Sequence, residues 1–360
     1  MNGAARRSMS SLTRTAMLLG MAFLAPTASQ GWAEDIPLPI EKGTYISVTD
    51  QLRDLLAGKS PQTIDELKAI EHQQQRVAER IRSCTVSISI GNSQGSGVIV
   101  TEDGIVLTAA HVAIEPGLQC EVRLSDGQRV PGRTWGMNRF VDAGMVKLLS
   151  DVGPDGKPWP YATVGMSGEL SDGTWCLATG HPGGYDESRG PVLRMGRVLY
   201  RDHSAIVTDC ALISGDSGGP LFDLSGRLVG VHSRIGSEVI DNIHVPIDQY
   251  EASWERLQKG DAWGYLPGFR PVLGIRGRKG GGAAVIETVT EGGPGAQAGL
   301  KAGDVVLRFG DKPIANFSEL QEAILNTMPG QRVGMLIERE VDGAVRKLWL
   351  KNVRIGRSQE

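Results

Sequence analysis

Apolar residues along the chain change spacing near residue 84. Upstream, "SPQTIDELKAIEHQQQRVAERI" (60–81) places Ile64, Leu67, Ile70, Val77 and Ile81 at helical intervals. That spacing predicts a helix with Ser60 as its cap and Pro61 at its first position. The stripe fits packing on its own domain or contact with another copy. Residues 34–60 carry no period and read as irregular. Downstream, "CTVSISI" alternates, and "GSGVIVTEDGIVLTAAHV" (95–112) is two apolar runs around Asp103-Gly104, a hairpin signal. Short runs follow: "CEVRL", "AGMVKLL", "WCLATG", "RMGRVLY", "AIVTDCALI" and "PLFDLSGRLVGVHS". Short strands, Gly-rich turns and no long helix predict a mainly β fold, an antiparallel barrel or sandwich pair.

"YEASWERLQKG" (250–260) reads as a helix closed by Gly260, and "DAWGYLPGFR" (261–270) as a linker punctuated by Gly and Pro. The remainder has its own strands and one helix, "SELQEAILN", with Ser318 as its cap. Five segments result: 1–33, 34–83 with the helix, a β domain over 84–260, the linker 261–270 and a second domain over 271–352. The two domains differ in charge. Residues 84–260 hold 14 Lys/Arg and 21 Asp/Glu, net −7; residues 271–360 hold 13 and 10, net +3.

The whole chain has 360 residues and a net charge of −3, with no dense basic run, so nucleic acid is not an expected partner. Arg6, Arg7 and Arg14 precede the ten-residue apolar run "AMLLGMAFLA", and "GWA" offers cleavage after Ala33. The pattern is that of a secretory signal peptide, too short for a comfortable membrane span. An uncleaved membrane anchor is the alternative. Export would allow Cys84, Cys120, Cys176 and Cys210 to oxidise in any of three connectivities. All four lie in strand-like runs, so burial as small apolar residues is an equal reading.

The candidate chemistry begins at "GDSGGP" (215–220). Ser217 becomes a nucleophile only with a base and an orienting acid. The stretch formally matches G-x-S-x-G, but that elbow needs a following helix, and "PLFDLSGRLVGVHS" reads as strand, turn, strand. Among six histidines, His111 ends an apolar run beside Ala109 and Ala110 and can reach across a cleft. His72 lies on the predicted helix, His181 in "GHPGG", His203 in a polar bend, and His232 and His244 after the serine. Between His111 and Ser217, Asp142 precedes the buried-looking "AGMVKLL". Asp126, Asp151 and Asp155 occupy turns. The order His, Asp, Ser is the chymotrypsin order.

"TAAHV", "DAGMVKL" and "TDCALISGDSGGPL" together resemble the catalytic blocks of trypsin-fold serine proteases, and their spacing resembles the HtrA (Deg) branch. "PVLGIRG" and "GPGAQAGLKAGDVVLRFGDKPIANFSELQEAI" resemble that family's PDZ domain. Asp216 departs from the family's frequent Asn, Ala109 and Ala110 from its polar residues, and one PDZ is present. The resemblance implies a chymotrypsin/trypsin-like double β-barrel followed by a PDZ domain. It implies a His111–Asp142–Ser217 triad and an oxyanion hole at Gly215, Asp216 and Ser217. Ala211 would floor the specificity pocket, favouring medium aliphatic side chains, with loops 181–194 and 232–242 as its other walls. Val272, Leu273, Gly274 and Ile275 would bind a peptide's C-terminal carboxylate. No metal or organic cofactor is implied. The implied activity is ATP-independent endoproteolysis of unfolded or damaged envelope proteins, in the periplasm or secreted, by a possible homotrimer. A chaperone-like binder with a latent protease and a membrane-anchored signalling protease are the alternatives.

Overall fold

The computed structural model describes residues 43–236, 240–278 and 282–358; the expected signal peptide at 1–33 lies outside them. β1 (Thr85–Ile90), β2 (Ser93–Ile99), β3 (Ile105–Ala109), β4 (Gln119–Arg123), β5 (Arg129–Asn138) and β6 (Ala143–Leu148) form one antiparallel barrel. Their order is β5-β4-β1-β2-β3-β6, closed by β5 on β6. After β7 (Thr163–Val164), the second barrel uses β8 (Trp175–Gly180), β9 (Val192–Arg201), β10 (Ile206–Thr208), β11 (Pro220–Asp223), β12 (Arg227–Ile235) and β13 (Asn242–Pro246). Its order is β11-β8-β9-β10-β13-β12, closed by β11 on β12, so both sheets end without free edges.

The hairpin at Asp103-Gly104 forms as expected, with Val98 opposite Leu107 and Ile99 opposite Val106. Gly104 has φ +87, and a Cβ there would press on Leu148 and Trp159 at 3.0 Å. β1 departs from the half-solvated strand that its alternation suggests. Thr85, Val86, Ser87 and Ile88 are all buried. The polar positions satisfy themselves on backbone: Thr85 Oγ1 donates to Ile81 O and Ser87 Oγ to Gly95 O. β5 and β13 carry no clear period, and sequence pattern alone did not expose them.

The helices also correct the expected boundaries. α1 (Asp50–Leu56), capped by Thr49, occupies the stretch expected to be irregular and buries Leu55 and Leu56. α2 (Ile64–Arg82) starts later than Ser60-Pro61. Thr63 is its cap, in a capping box with Glu66. Glu66 also accepts the Gln62 N–H, which fixes the start there. Of the apolar stripe, Ile70, Val77 and Ile81 are buried, each worth about 1.5–3 kcal/mol. Ile64 and Leu67 remain 71% and 54% exposed. Gln73 Nε2 donates to Leu224 O and ties α2 to the β11–β12 turn. α3 (Ala110–Ala113) is a single turn after β3. α4 (Ile247–Gln258) begins three residues before the expected Tyr250. It packs on β5 so closely that a Cβ at Gly136 would lie 2.3 Å from Leu257 O.

The expected linker is not a free tether. β14 (Ala262–Trp263) pairs in parallel with β5. The C-terminal domain has its own core, including Ile286, Val306, Leu320, Met335, Ile337 and Val353. It runs past residue 352, because Gly356–Arg357 pairs with Pro271–Val272. It contains α5 (Pro294–Gln297) and α6 (Phe317–Leu325). Asn316, not Ser318, caps α6, its side chain accepting from Glu319 N.

Candidate active site

β3 and β6 set two of the expected site residues side by side. Ala109 pairs with Ala143, and Ala110 N–H donates to Asp142 O at 2.9 Å. A Cβ on the facing Gly144 would meet Ala109 O at 2.9 Å, so this crossing tolerates only small residues. His111 therefore leaves α3 beside Asp142. Its Nδ1 lies 2.9 Å from Asp142 Oδ2 and its backbone N–H 3.0 Å from Oδ1. Ser233 Oγ donates to the same Oδ2 at 2.5 Å. Asp142 is buried and has φ +62, a left-handed conformation that Asp tolerates better than bulkier residues. A proton held on Nδ1 by the carboxylate leaves Nε2 as the acceptor.

Ser217 is held between the barrels. Its carbonyl accepts the Ser96 N–H of β2 at 2.8 Å, and Gly218 N–H donates to His232 O of β12 at 2.7 Å. A Cβ on Gly218 would fall 2.1 Å from Thr108 Oγ1 and 2.3 Å from Ser96 O. Gly215 has φ +96, and a Cβ there would strike the 181–184 turn at 2.5 Å. Ser214 O accepts Gly183 N–H at 2.7 Å, and Asp216 O accepts Gly219 N–H at 2.8 Å. A trans peptide sends its N–H and C=O opposite ways. The Gly215 and Ser217 N–H groups thus face away from those contacts, and neither donates a hydrogen bond among the described residues.

Asp216 is fully buried. Its Oδ2 accepts Ile213 N–H at 2.9 Å, and its carboxylate meets Arg194 of β9. Burial pushes this carboxyl up, against the opposing pull of Arg194.

His111, Asp142 and Ser217 line one cleft of about 430 Å³. No hydrogen bond joins His111 to Ser217 among the described residues; such contacts tighten when substrate binds. The cleft is walled by Leu212, Ile213 and Ser233–Ile235. Ala211 is not its floor. Cys210 and Leu212 are buried, so the extended chain turns the residue between them outward, and Ala211 is exposed. Of the two expected wall loops, 232–235 contributes and 181–194 does not. Leu266, Pro267 and Phe269 of the interdomain segment stand in its place.

Of the other histidines, His232 also lines the cleft. His181 is buried beneath the nucleophile loop, where burial, then Arg189, pushes its pKa down to about 4. His232 and His244 form a buried pair, Nδ1 to Nδ1 at 2.9 Å, with His244 pushed down to about 3 by burial. Sequence reasoning missed Ser233, Arg194 and the interdomain residues; no local pattern marks them. All four cysteines are buried thiols, with Cys176 and Cys210 Sγ 3.7 Å apart. In the C-terminal domain Leu273 is buried and Gly274 has φ +66. Neither of their N–H groups donates a bond among the described residues.

The trypsin-like peptidase domain family matches residues 95–231, and the PDZ domain family matches 271–351. A probable periplasmic serine endoprotease DegP-like from Pseudomonas savastanoi pv. phaseolicola is 34% identical over 272 residues, 71% of this chain and 55% of that protein. A protein of the same description from Rickettsia prowazekii is 30% identical, covering 68% and 50%. The chain spans about half the length of the curated relatives it matches. Among solved structures, a serine endoprotease from Yersinia pestis aligns over 84% of this chain and all of its own, at 21% identity and TM-score 0.45. An HtrA-type protease AlgW with tripeptide aligns over 79% and 96%, at 24% identity and TM-score 0.45. No helix of the described residues is long and apolar enough to cross a membrane. The chain joins a trypsin-like peptidase domain to one PDZ domain and is similar to the DegP-like serine endoproteases.

Proposed function

We propose that the chain is an exported, ATP-independent serine endopeptidase that cleaves unfolded or damaged polypeptides through His111, Asp142 and Ser217. One observation carries this reading. The His111–Asp142 pair and Ser217 face one cleft, and the two N–H groups beside the serine are unspent. His111 Nε2 takes the Ser217 proton as Oγ attacks the scissile carbonyl carbon. The Gly215 and Ser217 N–H groups receive the oxyanion, each worth on the order of 3 kcal/mol. His111 then passes the proton to the leaving amine, and water releases the acyl group by the reverse path. Asp142 holds the imidazole tautomer throughout.

Ile213 and Leu212 favour aliphatic side chains in the cleft, and among the described residues no carboxylate besides Asp142 lines it to attract Lys or Arg. The free N–H groups of Leu273 and Gly274 suit a peptide's C-terminal carboxylate. Exposed Ile64 and Leu67 suit contact between copies, as in a trimer. The relatives' periplasmic description and the N-terminal sequence favour export. The test is digestion of β-casein by purified protein. Ser217→Ala is expected to abolish cleavage with the fold intact; cleavage that survives the substitution, with contamination excluded, contradicts the assignment.

A further inference from the structure

The segment 261–270 is built into the side of the cleft that carries His111 and Asp142. Asp261 O accepts Met137 N–H at 2.8 Å, and Trp263 O accepts Arg139 N–H at 2.9 Å. Tyr265 meets Phe140 edge-on, with centroids 5.1 Å apart, two residues before Asp142. A Cβ on Gly264 would lie 2.7 Å from the Phe140 ring, so the backbone rests directly on it. Leu266 and Ala262 pack on Ala110, Ala113 and Met137, against the turn that carries His111. From the other side, the C-terminal domain fixes the segment. Gly264 N–H donates to Asn326 Oδ1 at 2.7 Å, Arg357 Nε to Gly268 O at 2.9 Å, and the Arg357 guanidinium lies 4.2 Å above the Phe269 ring.

This anchoring holds apolar surface in the open. Phe269 is 43% exposed, and it shares the cleft with exposed Ile213 and Ile235. Exposed apolar side chains gathered along one cleft mark a contact surface. Among the described residues Arg234 is the one Lys or Arg side chain lining the cleft, and Leu266, Pro267 and Phe269 add no charge to it.

We propose that Leu266, Pro267 and Phe269 form an apolar subsite for a substrate side chain flanking the scissile bond, so that the interdomain segment is part of the substrate-binding site. The proposal rests on the peptidase reading of the cleft. Its occupant is an aliphatic or aromatic side chain of an extended polypeptide. Folded proteins bury such side chains, so a subsite of this kind selects segments exposed by unfolding. The C-terminal domain supports the wall through Arg357 and Asn326, so removal of either contact loosens a substrate subsite.

The test maps β-casein cleavage sites by mass spectrometry, then measures kcat/KM for two peptides that differ only at the mapped flanking position, one apolar and one Ser. Wild type is expected to favour the apolar peptide by about 10-fold or more. Phe269→Ala is expected to bring that ratio near 1, and Phe269→Leu to keep most of it. The ratio is internal to each variant, so partial misfolding does not imitate the effect. A Phe269→Ala ratio equal to wild type overturns the subsite, as does an equal fall for both peptides. A wild type that leaves β-casein uncut overturns the peptidase reading and the subsite with it.

Discussion

Arg194 reaches Asp216 from behind the nucleophile loop, with Nη2 3.1 Å from Oδ2 and Nη1 3.3 Å from Oδ1. Asp216 precedes Ser217, and its side chain closes the 213–216 turn on Ile213 N–H. Removal of Arg194 leaves a buried carboxylate without its cation, a loss of about 3–5 kcal/mol for a broken buried pair. The turn relieves it by rearranging, at the expense of an oxyanion donor. Arg194→Gln is therefore expected to lower kcat on the order of 100-fold with KM little changed. Adding Asp216→Asn removes the stranded charge and is expected to restore most of the rate. Steady-state kinetics of both variants check this; a double variant no faster than Arg194→Gln contradicts it.

Asp142 and its supports separate in magnitude. Asp142→Asn is expected to lower kcat by roughly 10⁴, because Asn favours the wrong imidazole tautomer. Ser233→Ala removes one of four hydrogen-bond contacts to the carboxylate and leaves the three from His111, so a loss of about 10-fold is expected, or about 1.4 kcal/mol. Equal losses in the two variants would contradict the division of roles.

The buried histidines impose a pH dependence on stability. His181, His232 and His244 are held below the ordinary value of 6.5, chiefly by burial, so the unfolded chain binds more protons than the folded one below that pH. Their contribution is intact above pH 6.5 and is lost as pH falls. Each imidazole steepens the fall progressively below pH 6.5. Urea midpoints across this window are expected to fall steeply, and His181→Asn to flatten the slope. A flat wild-type profile contradicts the account.

Sequence reached the β class, the hairpin at Gly104 and the strand "WCLATG", because each rests on local spacing or on residue type. It failed where partners are distant in the chain. Thr63 displaced Ser60 as a cap because Glu66 answers it. The resemblance makes Ala211 the pocket floor, but the burial of Cys210 and Leu212 turns it outward. Ser233 lies 91 residues from Asp142, and Phe269 reaches the cleft only because β14 docks on β5. Nothing in the spacing of "DAWGYLPGFR" records that docking.

The central claim is that His111 activates Ser217 for attack, and the location of a fluorophosphonate adduct tests it most directly. After reaction and tryptic digestion, mass spectrometry is expected to find the phosphonyl group on Ser217 in the wild type and to find none at Ser217 in His111→Ala. An unmodified wild-type Ser217, or one modified equally without His111, would contradict the account.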